Sequence, residues 1–122
     1  MRGRLTLSLL VLAALALLVA GVASADRKPN SKERTQIARV VHLPKRCARV
    51  RISTETKKPK WGSVSFKPGL SECEPLASDG VTVVKKRSGK WRSVIAGSSF
   101  DCPSLHRKVP GAIAKDLGIA CF

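Results

Sequence analysis

Apolar residues recur at helical spacing from Ser31 to Val41. Ile37 and Val40 lie three residues apart, and the neighbouring basic side chains fall mostly on the opposite side, which is typical of an amphipathic helix. Asn30 and Glu33 have the spacing of a capping box, in which each side chain accepts a hydrogen bond from the backbone amide of the other. We therefore predict one helix over this stretch.

Two segments further along alternate between apolar and polar positions with the period of a strand. Residues 47–54 place Arg49 and Arg51 on one face and mainly small or branched apolar residues on the other. Residues 61–67 predict a second strand, on which Trp61 points to the same side as the arginines. We expect both strands to be half-buried, with the arginine face turned to solvent.

Two more strands, Val81–Lys86 and Lys90–Ala96, flank the dipeptide Ser88-Gly89, a pattern typical of a β-hairpin. If the turn is symmetric, Lys85 lies directly opposite Arg92. Like charges at directly opposite positions destabilise a sheet. These side chains therefore either spread into solvent or hold an anion between them.

A second, shorter helix is predicted near the end of the chain. Pro110 stands at its first position, Ile113 and Leu117 are one turn apart, and Gly118 ends it. The preceding stretch 97–103 is predicted to be a turn region. The order helix, two strands, irregular loop, two strands, helix predicts an α+β domain in two layers. It would have an antiparallel four-stranded sheet, the N-terminal helix packed on it and a short C-terminal helix.

The first 25 residues predict export. Two arginines precede an almost unbroken apolar run from Leu5 to Val22, and Ala23-Ser24-Ala25 matches the small-x-small pattern of a signal peptidase site. Cleavage after Ala25 would leave residues 26–122 as one secreted domain. The alternative is an uncleaved N-terminal membrane anchor, because an apolar run of 18 residues approaches the length of a membrane-spanning helix.

Four cysteines, Cys47, Cys73, Cys102 and Cys121, are disulfide candidates in an exported chain of this size. Of the three possible pairings we favour Cys47–Cys73 and Cys102–Cys121, because both are local and each links one supersecondary unit. Each closed loop is expected to stabilise the fold by roughly 3 kcal/mol. A zinc site is the weaker alternative, since the spacings are long and only His106 lies near a cysteine.

Positive charge is the strongest feature of the composition. The chain has 23 Lys and Arg against 8 Asp and Glu, a formal net charge of +15, which becomes +13 without the two arginines of the first 25 residues. Such a charge attracts an acidic partner: a cell-envelope polymer, extracellular nucleic acid or an acidic protein. We predict an anion-binding face made of Arg49, Arg51, Lys85 and Arg92, with Trp61 as a stacking surface. The alternative is a generic solvated surface that keeps a small secreted protein soluble.

Three spaced motifs resemble those of a group of small exported bacterial proteins of unknown function. The motifs are R-I-S-T followed by W-G-S-V within 51–64, G-K-W-R-S-V running into G-S-S within 89–99, and C, V-P and D-L-G-I-A-C within 102–121. The resemblance covers about residues 48–121 and implies a disulfide between Cys102 and Cys121. It implies no activity.

We expect a binding domain without catalytic activity, cofactor or metal. A first alternative is a small hydrolase inhibitor, which would present the loop between Cys47 and Cys73 to an enzyme. A second alternative is a cryptic ribonuclease, in which His42 and His106 would act as base and acid while a lysine holds the phosphate. His42 is predicted at the end of a helix and His106 in a loop, and no GxSxG, HExxH or glycine-rich phosphate motif is present.

Overall fold

The computed structural model describes residues 26–56 and 58–122, so the predicted signal peptide and its cleavage site at Ala25 lie outside the described residues. Within them, five antiparallel strands form one sheet in chain order. The strands are β1 (Asp26–Arg27), β2 (Ala48–Ser53), β3 (Trp61–Phe66), β4 (Val81–Arg87) and β5 (Lys90–Gly97); the helices are α1 (Ser31–Val40), α2 (Cys102–Lys108) and α3 (Gly111–Asp116); 3₁₀ turns cover Lys45–Cys47 and Ser71–Leu76. The predicted α+β class and the four-stranded antiparallel meander are confirmed, and β1 adds a two-residue strand beside β2.

The predicted capping box holds the start of α1. The Asn30 side chain accepts a hydrogen bond from the Glu33 amide at 2.8 Å, and the Glu33 carboxylate accepts one from the Asn30 amide at 3.1 Å. Glu33 is only 4% exposed. It also accepts two hydrogen bonds from the Arg27 guanidinium, at 2.9 and 2.8 Å, and lies 3.7 Å from Lys60 Nζ. The Arg27 hydrogen bonds, helped by the Asn30 amide and the nearby Lys60, lower the pKa of Glu33 from 4.5 to about 2.

Stability should therefore depend on the charge of Glu33. Because its pKa is lower in the folded chain, its contribution is fully present above about pH 4.5 and is lost as the pH falls toward 2. Between about pH 5 and pH 2, we expect the unfolding free energy of the wild type to fall by about 2–3 kcal/mol more than that of Glu33→Gln. Urea unfolding across this range measures the difference. The control is Glu74→Gln, which changes an exposed residue and should keep the wild-type pH dependence of the unfolding free energy. If the unfolding free energies of the wild type and Glu33→Gln fall equally between about pH 5 and pH 2, the prediction is contradicted.

Both faces of the sheet are covered, so the domain has three layers and the two-layer prediction is wrong. One face packs against α1, and the other packs against the chain that follows β5. The first core consists of Ile37, Ala38, Ala48, Val50, Ile52, Val64, Val84 and Trp91. The second core consists of Trp61, Val83, Phe100, Leu105, Val109, Ile113, Ala114 and Leu117. The second layer of helices exists because α2, α3 and the turns beside them supply enough apolar side chains to cover the arginine-bearing face.

The chain after β5 is more helical than predicted. A turn is expected at 97–103 and a loop at His106, but α2 occupies much of this stretch and contains His106. Asp101 is the N-cap of α2, because its carboxylate accepts a hydrogen bond from the Ser104 amide at 3.0 Å. The following helix, α3, begins after Pro110, which caps it instead of occupying its first helical position.

Two disulfides link elements outside the sheet. Cys47–Cys73 joins the two 3₁₀ turns and is fully buried, and Cys102–Cys121 joins the start of α2 to the end of the chain. The Cys102 amide also donates to the Phe122 carbonyl at 2.9 Å. Both predicted pairings are confirmed, and such disulfides are typical of an oxidising environment. No helix among the described residues is long and apolar enough to cross a membrane.

Candidate functional site

The predicted residues Arg49, Arg51, Trp61, Lys85 and Arg92 all lie on the sheet face that carries the second core. Directly opposite residues of antiparallel strands point to the same face, and the register pairs Trp61 with Lys85 and Lys85 with Arg92. The two arginines of β2 pair with serines of β3 that share the face of Trp61. The predicted hairpin register is confirmed, and the alternation of residue types identified the shared face.

Trp61 has little exposed surface. It is only 4% exposed and packs in the second core. Lys85 Nζ lies 4.8 Å from the centroid of its ring, which is a cation–π contact. Trp61 points away from α1, and the chain after β5 covers most of its ring, so little of the ring remains to stack on a ligand.

This face holds two depressions that have no lining residue in common. The first, about 350 Å³ in volume, we call the arginine–serine cleft; it is lined by Arg49, Arg51, Ser63, Ser65, Ser98 and Ser99, with Val81, Phe100 and residues 117–120. The second, about 290 Å³ in volume, we call the basic depression; it is lined by Trp61, Lys85, Arg87, Arg92, Ser93, Val94 and Lys108. The single anion-binding face expected from the sequence is therefore divided into two separate places.

Four cations surround the basic depression. Lys85 and Arg92 are paired across the hairpin, Arg87 ends β4, and Lys108 ends α2. The hairpin turn has positive φ at both central residues, 50° and 76°, which is the geometry that matches the twist of the two strands. Among the described residues, no acidic side chain lines the depression, so its positive charge is not neutralised by a lining carboxylate.

The ion pairs of the described residues involve other cations. Arg27 and Lys60 contact Glu33, and Arg46 contacts Glu72 at 2.6 Å. Within residues 26–56 and 58–122, none of the four cations of the basic depression has an acidic partner. Their charge therefore faces solvent or a ligand.

The floor of the arginine–serine cleft is formed by β2 and β3. Arg51 lies opposite Ser63 and Arg49 lies opposite Ser65. Arg51 Nη1 donates to the Leu117 carbonyl at 3.3 Å, so this guanidinium joins the floor to the wall formed by residues 117–120. Arg49 and Arg51 are exposed, and Ser63 is buried beneath them.

Asp116 positions the wall of the cleft. Its Oδ2 accepts hydrogen bonds from Ser53 Oγ at 2.6 Å and from the Thr54 amide at 2.8 Å, which ties the end of α3 to the end of β2. Gly118 ends the helical turn as predicted, with a φ of +70°. A Cβ atom at Gly118 would lie 2.8 Å from Arg51 Nη1, so the close approach of the guanidinium to the wall also depends on this glycine.

The two histidines lie in different surroundings. His42 lines a depression beside Val41 and Leu43, two residues that pack against the first core. His106 lies beside the C-terminal disulfide, with Nε2 3.8 Å from Cys121 Sγ. None of the described depressions contains both histidines, so the structure does not bring together the pair that the ribonuclease alternative needs.

One group of metal-binding residue types occurs among the described residues. The donor atoms of Cys102, His106 and Cys121 lie within 4.8 Å of one another. Both sulfur atoms are bonded to each other, so neither is the thiolate that a zinc ion needs. In the oxidised chain, only the imidazole remains as a ligand at this place.

The predicted anion-binding residues did not include Arg87, Lys108 or the serines of the cleft. The symmetric turn expected from the sequence already places Arg87 opposite Lys90, and the register confirms that pairing. Lys108 could not be found in this way, because its position depends on how α2 packs against the sheet. Ser63 is polar and points to the arginine face, but only the covering chain explains its burial.

Comparisons with models of known protein families, with curated proteins and with solved structures give no match for this chain. The resemblance to small exported bacterial proteins stays a prediction. The residues and geometry described above are therefore the basis for assigning a function.

Proposed function

We propose that this protein is an exported, non-enzymatic binding domain that engages an anionic extracellular or cell-envelope partner. The observation that supports this most strongly is the basic depression, where four cations converge and none of the described carboxylates lines the surface. A polyanion would bring the negative charges that the protein itself does not supply there. The signal sequence predicted from the first 25 residues would place it outside the cytoplasm, and the two disulfides agree with that location.

The arrangement of the hairpin favours a ligand over a purely solubilising role. Lys85 and Arg92 stand directly opposite each other, which is unfavourable for like charges in the free protein. The contact of Lys85 with the Trp61 ring offsets part of this repulsion. An anionic group between the two cations would remove more of it, because each charge would then gain an oppositely charged neighbour.

Heparin, used as a model polyanion, tests the proposal. We expect Lys85→Gln/Arg92→Gln to reduce the slope of log retention against log salt by about 2, since each lost phosphate- or sulfate-contacting cation removes about 1 from such a slope. Isocratic retention at several salt concentrations measures this slope.

The matched control is Lys32→Gln/Arg39→Gln, which also removes one lysine and one arginine, both exposed and both on α1. The control should keep a slope close to that of the wild type. Equal slopes for the two double variants would show that retention depends on total charge, and the proposal would then fail. If the protein binds a hydrolase and this binding persists at high salt, the inhibitor alternative would be favoured instead.

A further inference from the structure

Ser63 is a mostly buried serine that lines the arginine–serine cleft. The residue is 5% exposed, and its hydroxyl is not one of the buried polar atoms that lack a hydrogen-bond partner among the described residues. A hydroxyl that lines a cleft can exchange water for a ligand oxygen without a desolvation penalty that the free protein has already incurred. Ser63 is therefore available as a donor to a ligand oxygen in the cleft.

The cations of the cleft stand next to this hydroxyl. Arg51 is directly opposite Ser63, and Arg49 is directly opposite Ser65. Two guanidinium groups and two hydroxyls therefore share one face of a patch that spans three residues on each of two neighbouring strands. Ser98 and Ser99 approach from the segment after β5. None of the described residues that line the cleft is acidic.

This set of donors fits a tetrahedral oxyanion. Guanidinium groups present paired N–H donors that match phosphate or sulfate oxygens, and serine hydroxyls donate to the oxygens that remain. A planar carboxylate has only two oxygens, too few for donors that approach from both β2–β3 and the segment after β5. The volume of about 350 Å³ falls at the lower end of the range of small-molecule sites, which leaves room for the group that carries the oxyanion.

We propose that the arginine–serine cleft binds one tetrahedral oxyanion, a phosphate or sulfate group, through Arg49, Arg51 and Ser63. The inference rests on the proposed function in that both assign an anionic ligand. It uses residues that the basic depression does not contain, so the two can fail separately. Binding here would recognise a single acidic group, whereas the basic depression attracts a polymer by charge.

Titration of the protein with sodium phosphate at constant ionic strength, followed by amide NMR, tests the site. We expect saturable shifts at residues of the cleft and an affinity about tenfold weaker in Ser63→Ala, which loses one hydrogen bond to a charged ligand. Ser63→Ala removes one hydroxyl oxygen and keeps the Cβ atom, so it should fold with about the stability of the wild type. Ser65→Ala is a second variant at the same floor.

The matched controls are Ser93→Ala and Lys85→Gln/Arg92→Gln, which change the basic depression and should leave phosphate affinity unchanged. Absence of saturable shifts, equal affinity in Ser63→Ala, or loss of affinity in the basic-depression variants would overturn the proposal. Acetate binding as tightly as phosphate would overturn the tetrahedral assignment. Heparin retention measured on the same variants decides the proposed function independently.

Methyl phosphate and methyl sulfate distinguish the sources of the group. If either ester binds at least as tightly as its inorganic ion, the group belongs to a larger partner that enters the cleft. If only inorganic phosphate or sulfate binds, the site is confirmed as a site for the free ion, and its link to a polymeric partner is rejected.

Discussion

Replacing Trp61 with alanine is expected to lower the unfolding free energy by about 3–5 kcal/mol, the usual cost of removing a large buried aromatic side chain. The ring is 4% exposed and lies among the second-core residues, so its loss leaves a cavity between β3 and the chain after β5. Urea unfolding at neutral pH measures the change. This loss is a large part of the stability of a small domain, which is typically about 5–15 kcal/mol.

Trp61→Phe separates packing from ligand stacking. It keeps an aromatic ring in the core and should retain most of the stability, together with the heparin retention of the wild type. If Trp61→Ala instead folds with nearly wild-type stability and loses heparin retention, Trp61 contacts the ligand and its assignment to the core is wrong.

Removing the buried disulfide is the second change with a large expected effect. Cys47→Ala/Cys73→Ala should lose somewhat more than about 3 kcal/mol, because a closed loop of 26 residues is opened and two fully buried sulfur atoms are lost. The comparison is Cys102→Ala/Cys121→Ala, which opens a loop of 19 residues between less buried cysteines and should lose about 3 kcal/mol.

The two disulfide variants should also differ at the cleft. Cys121 directly follows the wall formed by residues 117–120, so Cys102→Ala/Cys121→Ala should weaken phosphate binding even where the domain stays folded. Cys47→Ala/Cys73→Ala should leave that affinity unchanged at temperatures where it remains folded. A loss of stability below about 1 kcal/mol in either variant would contradict the loop-closure argument.

The alternation of residue types was sufficient to predict the sheet and to place the cations. Arg49 and Arg51 alternate with small or branched apolar residues, and Ser88-Gly89 sets the register that puts Lys85 opposite Arg92. These predictions depend on local periodicity, which a single sequence displays directly.

The division of the anion-binding face could not be predicted in this way. It depends on α2 and α3, two short helices whose apolar residues are few and irregularly spaced. Asp101 and its bond to Ser104 mark the start of α2, but a capping residue does not tell which face of the sheet the helix will cover. The burial of Trp61 follows from that packing and not from its position on β3.

β5 is the last strand of the described sheet, so one of its edges has no neighbouring strand there. Such an edge can pair with a second chain, and cationic residues and irregular register are features that oppose this pairing. Lys90 and Arg92 lie on β5, and its pairing with β4 skips Val94. Because Arg92 also lines the basic depression, a polyanion bound there as proposed would neutralise part of the repulsion between two such edges. Occupation of the depression would then favour self-association of the protein along the same anionic chain.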